Sequence, residues 1–146
     1  MASKVTRKFY IATSLQRIED HHNVRDALRE QNWEITYDWT LHGSVKKTSI
    51  ERLQEVGLKM TQGVLDADVV IVLLPGGKGT HTELGMAIAR NKKIILHSMS
   101  PQPFALCDET VAFYHREDIL QLTGTFDQVV EILQREFQKD ANELRS

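Results

Sequence analysis

The stretch with the clearest chemical content in this 146-residue chain is Pro75-Gly76-Gly77-Lys78-Gly79-Thr80-His81-Thr82-Glu83-Leu84-Gly85. Three glycines in four positions permit positive backbone angles and let a ligand approach the main chain. A helix opening behind such a loop offers unpaired amides and the positive end of its dipole, which suit a phosphate or a sugar hydroxyl. The loop is not a Walker loop, because the Gly-Lys-Ser/Thr ending is missing, nor the Gly-x-Gly-x-x-Gly of a dinucleotide site. It suits a smaller sugar or phosphate ligand, held by Gly77, Gly79 and Thr80, with His81 either contacting base or phosphate or standing exposed in the first turn of the helix. Lys78 reads as an ordinary surface lysine.

Glu83 has two readings. Thr80-His81-Thr82-Glu83 fits a capping box, in which the Glu side chain bonds the amide of the cap residue. The same pattern recurs at Thr48-Ser49-Ile50-Glu51 and, with Gln, at Thr125-Phe126-Asp127-Gln128. Only the Glu83 example follows a Gly-rich loop at the end of a predicted central strand. A carboxylate there can face a ligand and attack an electrophilic carbon, as in covalent glycosyl transfer.

The elements that must position this loop follow from periodicity. Phe9 to Ala12, Glu34 to Trp39, Val69 to Leu74 and Ile94 to His97 are short β-rich runs that predict strands, with a fifth near Val111 to His115. Val69 to Leu74 is apolar without alternation, as expected of a central parallel strand covered on both faces. Helical spacing links Ile18, Val24, Ala27 and Leu28, then Ile50, Leu53, Gly57, Met60 and Val64. A third helix is expected to begin at Thr80 or His81 and to carry Leu84, Ala87 and Ile88. A fourth, with Phe126, Val129, Val130, Leu133 and Phe137, is the clearest amphipathic one. Strand and helix in alternation predict a single α/β domain over residues 1–146. Its expected core is a doubly wound, mostly parallel five-stranded sheet of flavodoxin/Rossmann-like type. Such sheets bind ligands at the carboxyl ends of their strands, where the connection order reverses. The loops after Ala12, Trp39 and Leu74 are therefore the ones that build a site.

Trp39 ends the second strand, where it either stacks on a nucleobase or packs beneath the following loop. Thr13 and Ser14 follow the first strand, where capping and phosphate contact use the same helix end. His21-His22 reads as a solvated helix face without partners at metal-ligand spacing, and no metal site is expected. Cys107, the one cysteine, reads as a small buried hydrophobe.

At these residues the chain resembles the nucleoside 2-deoxyribosyltransferase family and its relatives that hydrolyse deoxynucleoside monophosphates. The resemblance rests on Phe9-Tyr10-Ile11-Ala12-Thr13-Ser14, on Ala67-Asp68-Val69-Val70, and on Gly79-Thr80-His81-Thr82-Glu83-Leu84-Gly85-Met86-Ala87. It implies that Glu83 is the nucleophile at the anomeric carbon and that Tyr10 holds that carboxylate. It also implies that Ser14 lies where the nucleotide hydrolases bind the 5′-phosphate. Relatives are homo-oligomers with sites completed by a neighbouring subunit. The implication here is a homo-oligomer, a dimer or higher, with residues between Met99 and Val111 contributing across the interface. Two departures stand out: Met60 and Gly77 occupy positions where relatives carry aspartates that help hold sugar or base. Substrate, and transfer against hydrolysis, stay open for that reason. Pro75 to Glu83 also resembles the Pro-Gly-Gly-x-Gly-Thr-x-x-Glu motif of the phosphoribohydrolases that release cytokinin bases from nucleoside monophosphates. Both resemblances imply cleavage of an N-glycosidic bond, without metal or organic cofactor. A non-catalytic nucleotide-sensing module, with Glu83 only a cap, is the alternative from another class.

Composition agrees with a small-molecule partner. Eighteen basic against twenty acidic residues leave a net charge of -2, which lacks the basic excess that a nucleic-acid polymer would call for. The start of the chain carries no apolar stretch of signal-peptide length, and the longest apolar run is far too short to span a membrane. A cytoplasmic protein is expected.

Overall fold

A computed structural model describes residues 7–145, with side chains through residue 136. Met1 to Thr6 lie outside the described residues, and Phe137 outside the described side chains. The chain runs β1 (Lys8–Ala12), α1 (Ile18–Glu30), β2 (Glu34–Ile35), α2 (Ile50–Asp66) and β3 (Val69–Leu74). It continues through α3 (Lys78–Ala89), β4 (Lys93–Ser98), β5 (Ile119–Thr123) and α4 (Asp127–Arg145). The five strands form one sheet in the order β2-β1-β3-β4-β5, every neighbour pair parallel. After β2 the chain returns across β1 to build β3, so the order reverses between β1 and β3, where ligands of such sheets bind.

Strand alternation divides the core in two. Tyr10, Ala12, Val70, Val72, Leu74, Ile94 and Leu96 face the layer built by α2 and α3, where Val64, Leu84 and Ala87 meet them. Phe9, Ile11, Val69, Ile71, Leu73 and Ile95 face the opposite layer, filled by Val24 and Leu28 of α1 and Val129 and Leu133 of α4. All six residues of β3 are buried. Each such side chain contributes about 1.5–3 kcal/mol by leaving water, which makes β3 the rigid base on which the Gly-rich loop stands. Among the described residues no helix is long and apolar enough to cross a membrane.

Four expectations are corrected. The second strand spans only Glu34–Ile35 instead of running to Trp39. Asp38 accepts from the Thr40 amide and bends the chain into a short 3-10 turn over Trp39–Leu41. Val111 to His115 is not a strand: Ala112–His115 is a 3-10 turn, and the fifth strand is Ile119–Thr123. Its end is marked by Gly124 at φ +107°, a backbone state that favours glycine. His21 is fully buried instead of solvated, its ring centroid 5.1 Å from that of Trp39 in an edge-to-face arrangement. Cys107 is exposed, with its Sγ 3.3 Å from the Gln102 carbonyl.

Candidate active site

The helix behind the Gly-rich loop starts earlier than its sequence suggests. Gly77 is the N-cap and Lys78 the first residue of α3, which puts Glu83 in the second turn. The capping-box reading of Glu83 is thereby overturned, because a carboxylate that far along cannot reach the cap amide. The loop can turn so tightly because Gly76 lacks a side chain. A Cβ there would lie 2.3 Å from Thr80 Cγ2, and Thr80 itself is buried. Gly76 is thus the loop's sterically required glycine, whereas Gly77 and Gly79 face open space.

Glu83 instead turns to the sheet. It is 8% exposed, and its Oε2 accepts a hydrogen bond from the hydroxyl of Tyr10, which is fully buried in the middle of β1. Burial pushes the Glu83 carboxyl up to about 7, against the lowering effect of the Tyr10 hydrogen bond. Burial, then the Glu83 charge, raises the Tyr10 phenol far above its ordinary value, so Tyr10 stays protonated and remains a donor. The Tyr10 ring fits beneath α2 at Gly63, where a Cβ would stand 3.0 Å from the ring and 2.9 Å from Tyr37 Cβ. Thr36 ties the same point of α2 to the end of β2, its hydroxyl donating to the Gly63 carbonyl at 2.7 Å.

At the β1–β3 crevice the other sequence candidates divide. Ser14 is half-buried and makes no side-chain cap bond. Thr13 is buried, and its hydroxyl donates to the Leu73 carbonyl at 2.9 Å, tying β1 to β3. Arg17, which sequence reasoning missed, reaches from the turn after β1 to the Leu74 carbonyl at 3.3 Å and pairs with Asp20 at 3.1 Å. Trp39 is 5% exposed, and its indole N–H donates to the Ile11 carbonyl at 2.9 Å. Its ring packs in the core against that of His21. On this side Tyr37 lies beside Tyr10 over Gly63, its ring centroid 5.8 Å from that of His42. His81 is also engaged within the protein, with Nδ1 2.8 Å from the Gly77 carbonyl and Nε2 2.6 Å from the Tyr114 hydroxyl. The carbonyl can only accept, so Nδ1 carries the proton and Nε2 accepts from Tyr114. His81 thereby clamps α3 to the 3-10 turn Ala112–His115. Met60 is half-buried against the same core layer as Tyr10.

The sequence pattern of the nucleoside 2-deoxyribosyltransferase family matches residues 9–140. The chain belongs to that family. Membership makes it one of a group of enzymes whose chemistry is at the N-glycosidic bond of nucleosides and nucleotides. No curated protein matches it. Among solved structures the fold is similar to Clostridium botulinum CMP N-glycosidase, BcmB, at a TM-score of 0.60 and 18% identity. That likeness covers 88% of this chain and 99% of the other. In this member of the deoxyribosyltransferase family, the match spans both the Tyr10 strand and the Glu83 helix. Arg17 carries no local motif; only its placement in the turn after β1, at a strand end, marks it.

Proposed function

We propose that the protein cleaves or transfers the N-glycosidic bond of a (deoxy)ribonucleoside or its 5′-monophosphate through a covalent glycosyl–Glu83 intermediate. The observation that carries this reading is the Tyr10–Glu83 pair: a carboxylate buried against β1, held by one hydroxyl donor and, among the described residues, paired with no cation. No helix cap explains it, and a buried carboxyl whose protonation is shifted by desolvation is a mark of functional sites. Glu83 attacks the anomeric carbon, the base departs with a proton, and water or a second base then attacks the glycosyl ester. Tyr10 keeps the nucleophile aimed, the open amides at Gly77 and Gly79 receive the sugar or phosphate, and Ser14 and Arg17 flank the phosphate end. The fold shared with a CMP N-glycosidase supports a monophosphate as substrate and water as acceptor.

The test is chromatographic. The protein is incubated with natural ribo- and deoxyribonucleosides and their 5′-monophosphates, with and without a second free base, beside Glu83→Gln. Base release that Glu83→Gln abolishes, with a glycosyl adduct on Glu83 in mass spectra, is the expected result; exchange products would make it a transferase. Undiminished release by Glu83→Gln would remove Glu83 as nucleophile.

A further inference from the structure

Resting on the Glu83 reading, we propose that Thr36, the residue after β2, is a positioning residue for the reaction: its hydroxyl holds α2 against the Tyr10 ring and so keeps the Tyr10 hydroxyl on Glu83. The bond from Tyr10 to Glu83 is only as well aimed as the ring that carries it. From the α2 side that ring is set by Gly63, where a Cβ would stand 3.0 Å from both Cδ2 and Cε2. A ring edge so close to a helix backbone moves when the helix moves, because a packed interior leaves little slack.

What holds Gly63 in place can be read from its carbonyl. It lies in the last turn of α2, where carbonyls run out of helical amides. The amide four residues on, that of Ala67, donates to the Val64 carbonyl at 3.3 Å instead. The Thr36 hydroxyl takes the place of that amide, donating to the Gly63 carbonyl at 2.7 Å. Its oxygen is also 3.3 Å from the Phe9 carbonyl, which already accepts the Thr36 amide at 2.9 Å. A hydroxyl has one proton to give, and the shorter contact marks Gly63 as its acceptor. Thr36 thereby grips both sides of Tyr10. Its amide holds the β1 backbone at Phe9, one residue before, and its side chain holds the helix on which the ring packs. A valine at this half-buried position would serve a strand end as well, but it could not meet the carbonyl.

The consequence falls on the Glu83 proton. Among the described residues, the ionisable group facing Glu83 is Tyr10 from β1, and those facing Tyr10 are Glu83 from α3 and Tyr37 from the turn after β2. Burial raises the Glu83 carboxyl and the Tyr10 bond lowers it, so a loosened Tyr10 leaves the nucleophile protonated to higher pH and less well aimed. A second tie at the same helix end provides the contrast. Lys92 Nζ meets the Leu65 carbonyl at 2.6 Å, two residues past the point where Tyr10 packs.

The test compares Thr36→Val, which keeps the shape and loses the hydroxyl, with Thr36→Ser, which keeps the hydroxyl, and Lys92→Met, which removes the other tie. Natural nucleoside 5′-monophosphates are the probes for turnover. NMR of isotope-labelled glutamate carboxyls, with Glu83→Gln to assign the signal, follows the Glu83 titration without turnover. Thr36→Val is expected to lower kcat about tenfold with KM within about threefold, and to move both the acid limb of the rate and the Glu83 midpoint to higher pH. Thr36→Ser restores both, and Lys92→Met moves neither. In a Tyr10→Phe background Thr36→Val is expected to change kcat by less than about twofold, because the group it positions is gone. Unchanged circular dichroism spectra separate these effects from unfolding. A Glu83 midpoint that stays in place in Thr36→Val, or that Lys92→Met moves as far, overturns the proposal, as do rate losses that add in the Tyr10→Phe background. If the unaltered protein releases base from none of the probes, the Glu83 reading fails, and the NMR midpoint still decides whether Thr36 governs the pair.

Discussion

At the scale of single residues, the chemistry is an argument about one proton on each of two buried oxygens. Burial raises the Glu83 carboxyl to about 7, and the Tyr10 hydrogen bond works the other way by favouring the charged form. A nucleophile must be ionised, so the rate is expected to fall as pH drops below about 7. Tyr10→Phe removes the stabilising donor and leaves the ring in its place under Gly63. The acid limb of kcat/KM is then expected to move to higher pH than in the unaltered protein, with the plateau rate above it reduced because the carboxylate is no longer aimed. A pH series of initial rates measures both. An acid limb that stays in place, or moves lower, would show that the Tyr10 hydroxyl does not govern Glu83.

At the scale of elements, the site depends on how closely α2 approaches β1. Gly63 faces Tyr10 and Tyr37, whereas Gly57 on the same helix faces nothing within 4 Å. Alanine is favoured over glycine inside a helix by about 1 kcal/mol, so Gly57→Ala is expected to stabilise by roughly that amount. Gly63→Ala places a methyl inside contact distance of two tyrosines, and overpacking of this kind costs about 1–3 kcal/mol. The helix gain is cancelled, and the Tyr10 ring is pushed away from Glu83. Urea denaturation with parallel rate measurements should therefore find Gly57→Ala more stable and fully active, and Gly63→Ala less stable and slow. Equal stability of the two would mean that α2 can back away from the sheet. The same elements show what the sequence made legible. Val69 to Leu74 announced itself because a strand buried on both faces is apolar throughout, and β1, β4, α1, α2 and α4 followed from their periods. The start of α3 is hidden because Gly77, with no side chain, caps it, and the nearby Thr-x-x-Glu imitates a cap at Thr80, less than one turn further on. The fifth strand was misplaced because Val111 to Tyr114 has the residue types of a strand, although Tyr114 is used to hold His81 across to α3. Glu83 and Tyr10 stood in recognisable motifs. Gly63 and Arg17 did not, since each matters only for what the fold brings next to it.

At the scale of the whole molecule, two buried groups tilt stability in opposite directions with pH. Glu83 holds its proton more tightly folded than unfolded, so its contribution is full below pH 4.5 and is lost as pH rises towards 7. A shift of that size corresponds to roughly 3 kcal/mol at the limit. His21 is the reverse case: burial lowers it from 6.5 to about 4, with the Asp38 charge opposing the change. The folded state keeps it neutral, so its contribution is full above pH 6.5 and is lost as pH falls towards 4. His97, also lowered by burial, acts with His21. Between about pH 4.5 and 6.5 the slopes from Glu83 and His21 oppose each other, and the stability of the unaltered protein is expected to vary little there. Removing one group uncovers the other. Glu83→Gln, which can still accept from Tyr10, should grow more stable as pH rises through that window and exceed the unaltered protein at pH 8, where the buried charge is gone. His21→Leu should lose stability as pH rises from 4.5 to 7, because only the Glu83 slope remains. Urea midpoints at five or six pH values decide the matter. If the Glu83→Gln curve runs parallel to that of the unaltered protein, burial does not hold a proton on Glu83, and the expected acid limb in the rate loses its physical basis with it.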